Sequence, residues 1–207
     1  MWRAPDVLDM IYFDRYTKGE AWRYLQSDIM RLEILLRHGG VYVDADTICL
    51  KPLDPLFRGQ TISSFGPSAA TALSGPSVNT NRGFIAWESE KHRPGLLANG
   101  VMALPPYSTA AILLVHQLDY TDWNAPAWIS TGPKFVTDVL DKFNLTLARV
   151  PSQLFYPYHL GDALPKDKDA LQQLLQEKDP YMHQLWSSSF ENFNMTHAAS
   201  VLELHAP

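Results

Sequence analysis

Between Ala21 and His38 the apolar residues Trp22, Leu25, Ile29, Leu32, Leu35 and Leu36 recur at helical spacing, which predicts an amphipathic helix that the Gly39-Gly40 pair stops. The pattern then becomes a short continuous apolar run, Val41 to Val43, read as a buried strand. A second run, Ile48 to Leu50, precedes Lys51-Pro52-Leu53-Asp54-Pro55-Leu56-Phe57, where the prolines force a turn before a short helix. Further strands are expected at Thr61 to Phe65, Gly83 to Trp87, Gly100 to Ala103, Trp128 to Ser130 and Leu147 to Val150. Helices are expected at Pro106 to Leu118, Pro133 to Phe143 and Lys168 to Glu177, with a loop over Pro67 to Arg82, which is rich in Ser, Gly, Pro and Asn. Strands interleaved with helices, without an internal repeat, argue an α/β fold with a mixed sheet, and the whole chain, 1–207, reads as one domain.

The first strand runs into Asp44-Ala45-Asp46. In extended backbone, residues two apart project to the same side, so both carboxylates are expected at the C-terminal mouth of the strand, where open α/β sheets bind ligands. Paired carboxylates suit Mg²⁺ or Mn²⁺, hard cations commonly shared with substrate phosphates, so a phosphate-bearing substrate is expected. A second Asp-x-Asp, Asp167-Lys168-Asp169, follows Pro165 and precedes a helical pattern; it reads as a solvated helix start.

Composition narrows the classes. The 207 residues are 46% hydrophobic and 12% aromatic, enough for a sizeable core. The net charge is −5, and the scattered Lys and Arg form no basic stripe for nucleic acid or an anionic membrane surface. The single cysteine, Cys49, excludes an intrachain disulfide and a cysteine-based zinc site, and its apolar strand predicts a buried, inert thiol. No apolar run approaches the roughly 18 residues that a membrane helix needs, and no signal peptide opens the chain, so a soluble domain is expected. Two sequons, Asn144-Leu145-Thr146 and Asn194-Met195-Thr196, would be glycosylatable in a secretory lumen.

Asp28 and Arg31 stand three apart on the first helix and share one face; the spacing suits either a common cleft or a surface ion pair. Taken together, Ser27-Asp28-Ile29-Met30-Arg31, Gly39-Gly40-Val41-Tyr42-Val43-Asp44-Ala45-Asp46 and Leu50-Lys51-Pro52-Leu53 resemble the DXD glycosyltransferases of family 32, which include α-1,6-mannosyltransferases and α-1,4-galactosyltransferases. The resemblance implies a GT-A fold, Mn²⁺ or Mg²⁺, a UDP- or GDP-hexose donor, transfer with retention at the anomeric carbon, a glycan or glycolipid acceptor, and residence in the Golgi or another part of the secretory lumen. By it, Asp28 hydrogen-bonds sugar hydroxyls, Arg31 approaches the sugar or its phosphate, Asp44 faces the ribose and sugar, and Asp46 holds the metal on the diphosphate. Gly39, Gly40 and Tyr42 fall with the substrate-binding residues.

Asn99, in Asn99-Gly100-Val101-Met102-Ala103, resembles the strand asparagine that lines the sugar pocket of related transferases, and equally suits a turn. Gly132, in Ser130-Thr131-Gly132-Pro133, resembles the T-G-P turn of the family and is also an ordinary helix start. His183 and Trp186 resemble a closing pair, the imidazole completing the metal shell and the indole N–H donating to the diphosphate; a packed core imidazole fits the same pattern. Only 43 residues precede Asp44, so the base-binding strands are expected to be incomplete, and a membrane anchor would lie in the segment absent upstream. Two other readings compete. One is a phosphohydrolase of the haloacid-dehalogenase type, with Asp44 as nucleophile and Gly161 to Asp167 as its distal acidic motif. The other is a transferase-like domain that binds glycan or partner without turnover.

Overall fold

The computed structural model describes residues 22–57, 83–145, 147–163, 165 and 167–186. The expected strand Thr61 to Phe65, the loop Pro67 to Arg82 and the second sequon lie outside these residues. In chain order the elements are α1 (Trp22–His38), β1 (Gly40–Val43), β2 (Thr47–Cys49), α2 (Asp54–Phe57), β3 (Phe84–Ser89), β4 (Arg93–Leu104), α3 (Thr109–Gln117), α4 (Ala127–Ser130), α5 (Pro133–Lys142), β5 (Ala148–Val150), α6 (Lys168–Lys178) and β6 (Met182–Gln184). Single 3₁₀ turns stand at Leu118–Tyr120 and Ser152–Leu154. Four strands form a sheet in the order β1-β4-β3-β5, and β2 pairs with β6, so the expected α/β class and mixed sheet hold. Among the described residues no helix is long and apolar enough to cross a membrane.

The chain divides into two compact units, the first made of Met1–Tyr42, Arg82–Ile85 and Leu96–Leu147, the second of Val43–Asn81, Ala86–Gly95 and Ala148–Pro207. In the first, α1 buries Ile29, Leu32 and Leu35 and packs on α3, which packs in turn on α5. Ser108 caps α3 by accepting a hydrogen bond from the amide of Ala111 at 3.3 Å, and Pro133 opens α5 at a position where its missing N–H costs nothing. Gly39 ends α1 with φ +63°, and a Cβ there would lie 2.4 Å from Pro106 Cδ and 2.6 Å from its nitrogen.

In the second unit β2 and β6 run antiparallel in the register Thr47↔Gln184, Ile48↔His183 and Cys49↔Met182. Leu171 and Leu175 of α6 pack with Leu185, Ile48 and Leu50 into a small apolar cluster. Asp167 is the N-cap of α6, accepting from the amide of Ala170 at 2.9 Å, so the second Asp-x-Asp is the helix start that its sequence suggested.

Three expectations give way. Trp128 to Ser130 is helical, within α4, because Pro126 sets up the turn and the Ile129, Ser130 and Thr131 amides bond back to carbonyls three and four residues earlier. Gly100 to Ala103 is only the inner part of β4, which begins with the exposed Arg93-Pro94-Gly95, where proline and glycine mask the strand, and continues through Leu96-Leu97-Ala98. Cys49 is exposed: on a strand as short as β2, paired only with β6, an apolar sequence does not guarantee cover.

Candidate functional site

In the first unit Asp28 and Arg31 are buried, 8% and 5% exposed, which rules out the surface ion pair. Arg31 Nη2 meets Asp28 Oδ1 at 3.0 Å, Arg31 Nη1 donates to the carbonyl of Asn99 at 2.6 Å, and Nε donates to the carbonyl of Ser27 at 3.3 Å. Asp28 also accepts from Asn99 Nδ2 at 2.9 Å and from Thr131 Oγ1 at 3.1 Å. The Tyr42 ring lies under the guanidinium, 4.5 Å from its carbon, in cation–π contact. Helix α1, strands β1 and β4 and the turn before α5 thus converge on one charged pair, whose desolvation is offset by this full set of partners.

Asn99 is therefore a buried strand residue that uses side chain and backbone together, and the turn reading fails for it. Gly132 is needed sterically: a Cβ would come within 2.7 Å of Trp128 Cα, 3.1 Å of the Ala127 carbonyl oxygen and 3.3 Å of Asp28 Oδ2. Gly39 and Gly40 supply backbone shape at φ +63° and +94°.

In the second unit Asp44 and Asp46 do not share one extended strand, because β1 ends at Val43 and Ala45 and Asp46 are turn residues. Residues 44–46 form a tight turn between β1 and β2, closed by the Thr47 amide on the Asp44 carbonyl at 3.1 Å. Both carboxylate residues are half-buried. Gln184, from β6, fixes the second: its Nε2 donates to Asp46 Oδ1 at 2.7 Å, its Oε1 accepts from the Thr47 hydroxyl, and the next amide, Leu185, donates to the Asp46 carbonyl at 2.9 Å.

It is within this geometry that the comparisons fall. Residues 8–63 match the family of glycosyltransferase sugar-binding regions containing a DXD motif. That span holds α1, β1, the 44–46 turn and β2, and with them Asp28, Arg31, Tyr42, Asp44 and Asp46. Among solved structures the chain is similar to one titled PaToxG Glycosyltransferase, at 16% identity over 83% of this chain and 50% of that one, with a TM-score of 0.35. The chain thus spans half the length of that protein's chain. No curated protein matches it.

His183 and Trp186 are placed differently from the expectation. Gln184 turns to Asp46, and neighbours along a strand alternate faces, so His183 points the other way; it is fully buried, edge-on to the Tyr158 ring at 5.1 Å. Among the described residues no group of three or more His, Cys, Asp or Glu side chains is arranged to hold a metal ion, so Asp44, Asp46 and His183 are not gathered as a ligand set. The Trp186 indole N–H donates to the carbonyl of Tyr158 at 3.0 Å, and its ring packs on Tyr156 and His159. Burial pushes the Tyr158 phenol up to about 12. Gln184 is the residue that sequence reading missed: nothing in Met182-His183-Gln184 announces a strand or its register against Thr47.

The acids of the phosphohydrolase reading have other tasks. Asp167 caps a helix, and Asp162 accepts from Lys91 Nζ at 2.8 Å and His92 Nε2 at 2.7 Å.

Proposed function

We propose that the protein is a retaining, metal-dependent glycosyltransferase of the GT-A type, related to family 32, that moves a hexose from UDP- or GDP-hexose to a glycan or glycolipid in the secretory lumen. The observation that carries this reading is the 44–46 turn: it lies inside the matched DXD region and carries a carboxylate fixed from a second strand. The donor chemistry fits a hard divalent cation, since two half-buried carboxylates on one short turn supply oxygen ligands and leave the remaining positions to water and substrate phosphate. Asp46 and Asp44 would hold Mn²⁺ or Mg²⁺. When bound, the ion would offset the charge that grows on the departing nucleoside diphosphate.

The protein's own residues account for the rest. Gln184 orients Asp46 and spends its other end on Thr47, so the carboxylate does not rotate freely. Asp28 and Arg31 act as positioning residues that hold Asn99, Tyr42 and Thr131 in place. In the transfer, the bond from the anomeric carbon to the phosphate oxygen breaks and a bond to the acceptor oxygen forms on the same face. The acceptor proton leaves with the diphosphate, so no protein base is required, and direct same-face attack involves no protein nucleophile.

Calorimetric titration with UDP- and GDP-hexoses, with and without Mn²⁺, tests the reading beside Asp46→Asn. Metal-dependent binding that the variant loses supports it and identifies the nucleotide. Metal-independent binding, or turnover retained by Asp46→Asn, refutes it.

A further inference from the structure

The second unit contains a cavity of about 390 Å³ between the β3–β4 hairpin and residues 152–163, within the about 300–1,000 Å³ typical of small-molecule sites. Its polar lining is built. Glu88 and His159 are 6% and 8% exposed, and His159 Nε2 lies 3.2 Å from Glu88 Oε1. The amide of Gly161 donates to His159 Nδ1 at 3.0 Å, which places the ring proton on Nε2 and makes the imidazole the donor to Glu88. Arg93 Nε approaches the same Oε1 at 3.4 Å, so this buried carboxylate is held by an imidazole and a guanidinium. His92 stacks on His159 with ring centres 5.0 Å apart and is held by Asp162; Gly161 makes room, since a Cβ there would lie 2.8 Å from the His92 ring. At the rim Glu90 accepts from the Ser152 hydroxyl at 2.5 Å and from its amide at 2.9 Å.

The lining also selects a ligand class. An anion would meet the carboxylates of Glu88, Glu90 and Asp162, and a free cation would meet Lys91 and Lys178. No metal-ligand group of three forms among the described residues. A neutral polyhydroxyl ring suits such a lining, because each hydroxyl both donates and accepts. Tyr156 adds an apolar wall and, with His159, packs on Trp186, two residues beyond the Gln184 that holds Asp46. We propose that this cavity binds a hexose unit of the acceptor saccharide, with Glu88, oriented by His159, as its hydrogen-bonding floor. The role of the bound saccharide as acceptor rests on the glycosyltransferase reading; saccharide binding does not.

The test is a titration of the full chain, without nucleotide or metal, with methyl glycosides of glucose, galactose and mannose, read by histidine ring proton shifts and calorimetry. At least one should bind saturably and shift the His92 and His159 signals. Glu88→Gln should weaken that binding about tenfold or more, the scale of a lost charge-assisted hydrogen bond. Ala163→Trp, at an exposed lining position away from the buried pair, should block it while leaving the circular dichroism spectrum unchanged. Absence of saturable binding by the folded chain overturns the proposal, as does binding that both variants leave intact. A separate UDP and GDP titration reports on the donor reading alone, so saccharide binding without nucleotide binding would refute that reading and uphold the cavity.

Discussion

Removing the carboxylate of Asp28 should destabilise the protein far more than an i,i+3 pair on a helix normally would. Arg31 is 5% exposed, so truncating its partner leaves a desolvated cation without the group that meets it at 3.0 Å. Breaking such a buried pair costs about 3–5 kcal/mol, against at most about 1 kcal/mol for an exposed one. For a chain of 207 residues each kcal/mol shifts Tm by about 2–4 °C, so Asp28→Ala should lower Tm by about 6–20 °C. Asp28→Asn retains an acceptor for Arg31 and Asn99 and offers an amide to the Thr131 hydroxyl, which isolates the charge; its loss should be smaller yet exceed about 1 kcal/mol. Arg31→Met on top of Asp28→Ala should cost less than the two single losses added, because the uncompensated charge is gone. Thermal unfolding followed by circular dichroism reads the parent, Asp28→Ala, Asp28→Asn, Arg31→Met and the double variant. A Tm within about 2 °C of the parent for Asp28→Ala, or full additivity of the double variant, would refute the buried-network account.

Gln184→Met keeps the volume of the side chain but drops its bonds to Asp46 and Thr47; Mn²⁺-dependent donor binding, measured by calorimetry, should weaken about 10–100-fold while the circular dichroism spectrum holds. Burial works against ionisation of Asp162, but hydrogen bonds from Lys91, His92 and the His159 amide, and the Lys91 charge, outweigh it and hold the carboxyl well below the usual carboxylate range. That contribution to stability is complete above the unfolded-state value of about 4 and is lost as pH falls below it, so Asp162→Asn should flatten the fall in urea midpoint over that acid range; an unchanged acid limb would count against the assignment. Exposed Cys49 should react fully with a thiol reagent in the native protein, and protection until denaturation would contradict its placement.

The sequence showed what depends on local pattern. The helical spacing from Trp22 to Leu36 and the glycines after it mark α1 and its end, and Asp167 is recognisable as a cap from its neighbours alone. It hid what depends on pairing between distant segments. Thr47 and Gln184 are 137 residues apart, and only their register in β2 and β6 explains why Gln184 reaches Asp46 and His183 does not. Asp28 and Arg31 were visible as a pair, but their burial required β4 to bring in Asn99 and the turn before α5 to bring in Thr131. The histidine pair over the cavity came from opposite sides of the second unit's sequence, 67 positions apart by number, and neither residue stood out in its own surroundings.

The two glycines after α1 differ in what a mutational scan should find there. Position 40 faces open space, and only its φ of +94° penalises a side chain, so a library should return a graded series in which small polar residues rank above β-branched ones. Position 39 combines left-handed backbone with a proline where its Cβ would go, and Pro106 cannot withdraw because the next amide, Tyr107, donates to the Leu36 carbonyl at 2.8 Å. Its alphabet therefore contains a single letter. Two adjacent positions with the same residue thus carry different information, one a preference and the other a prohibition.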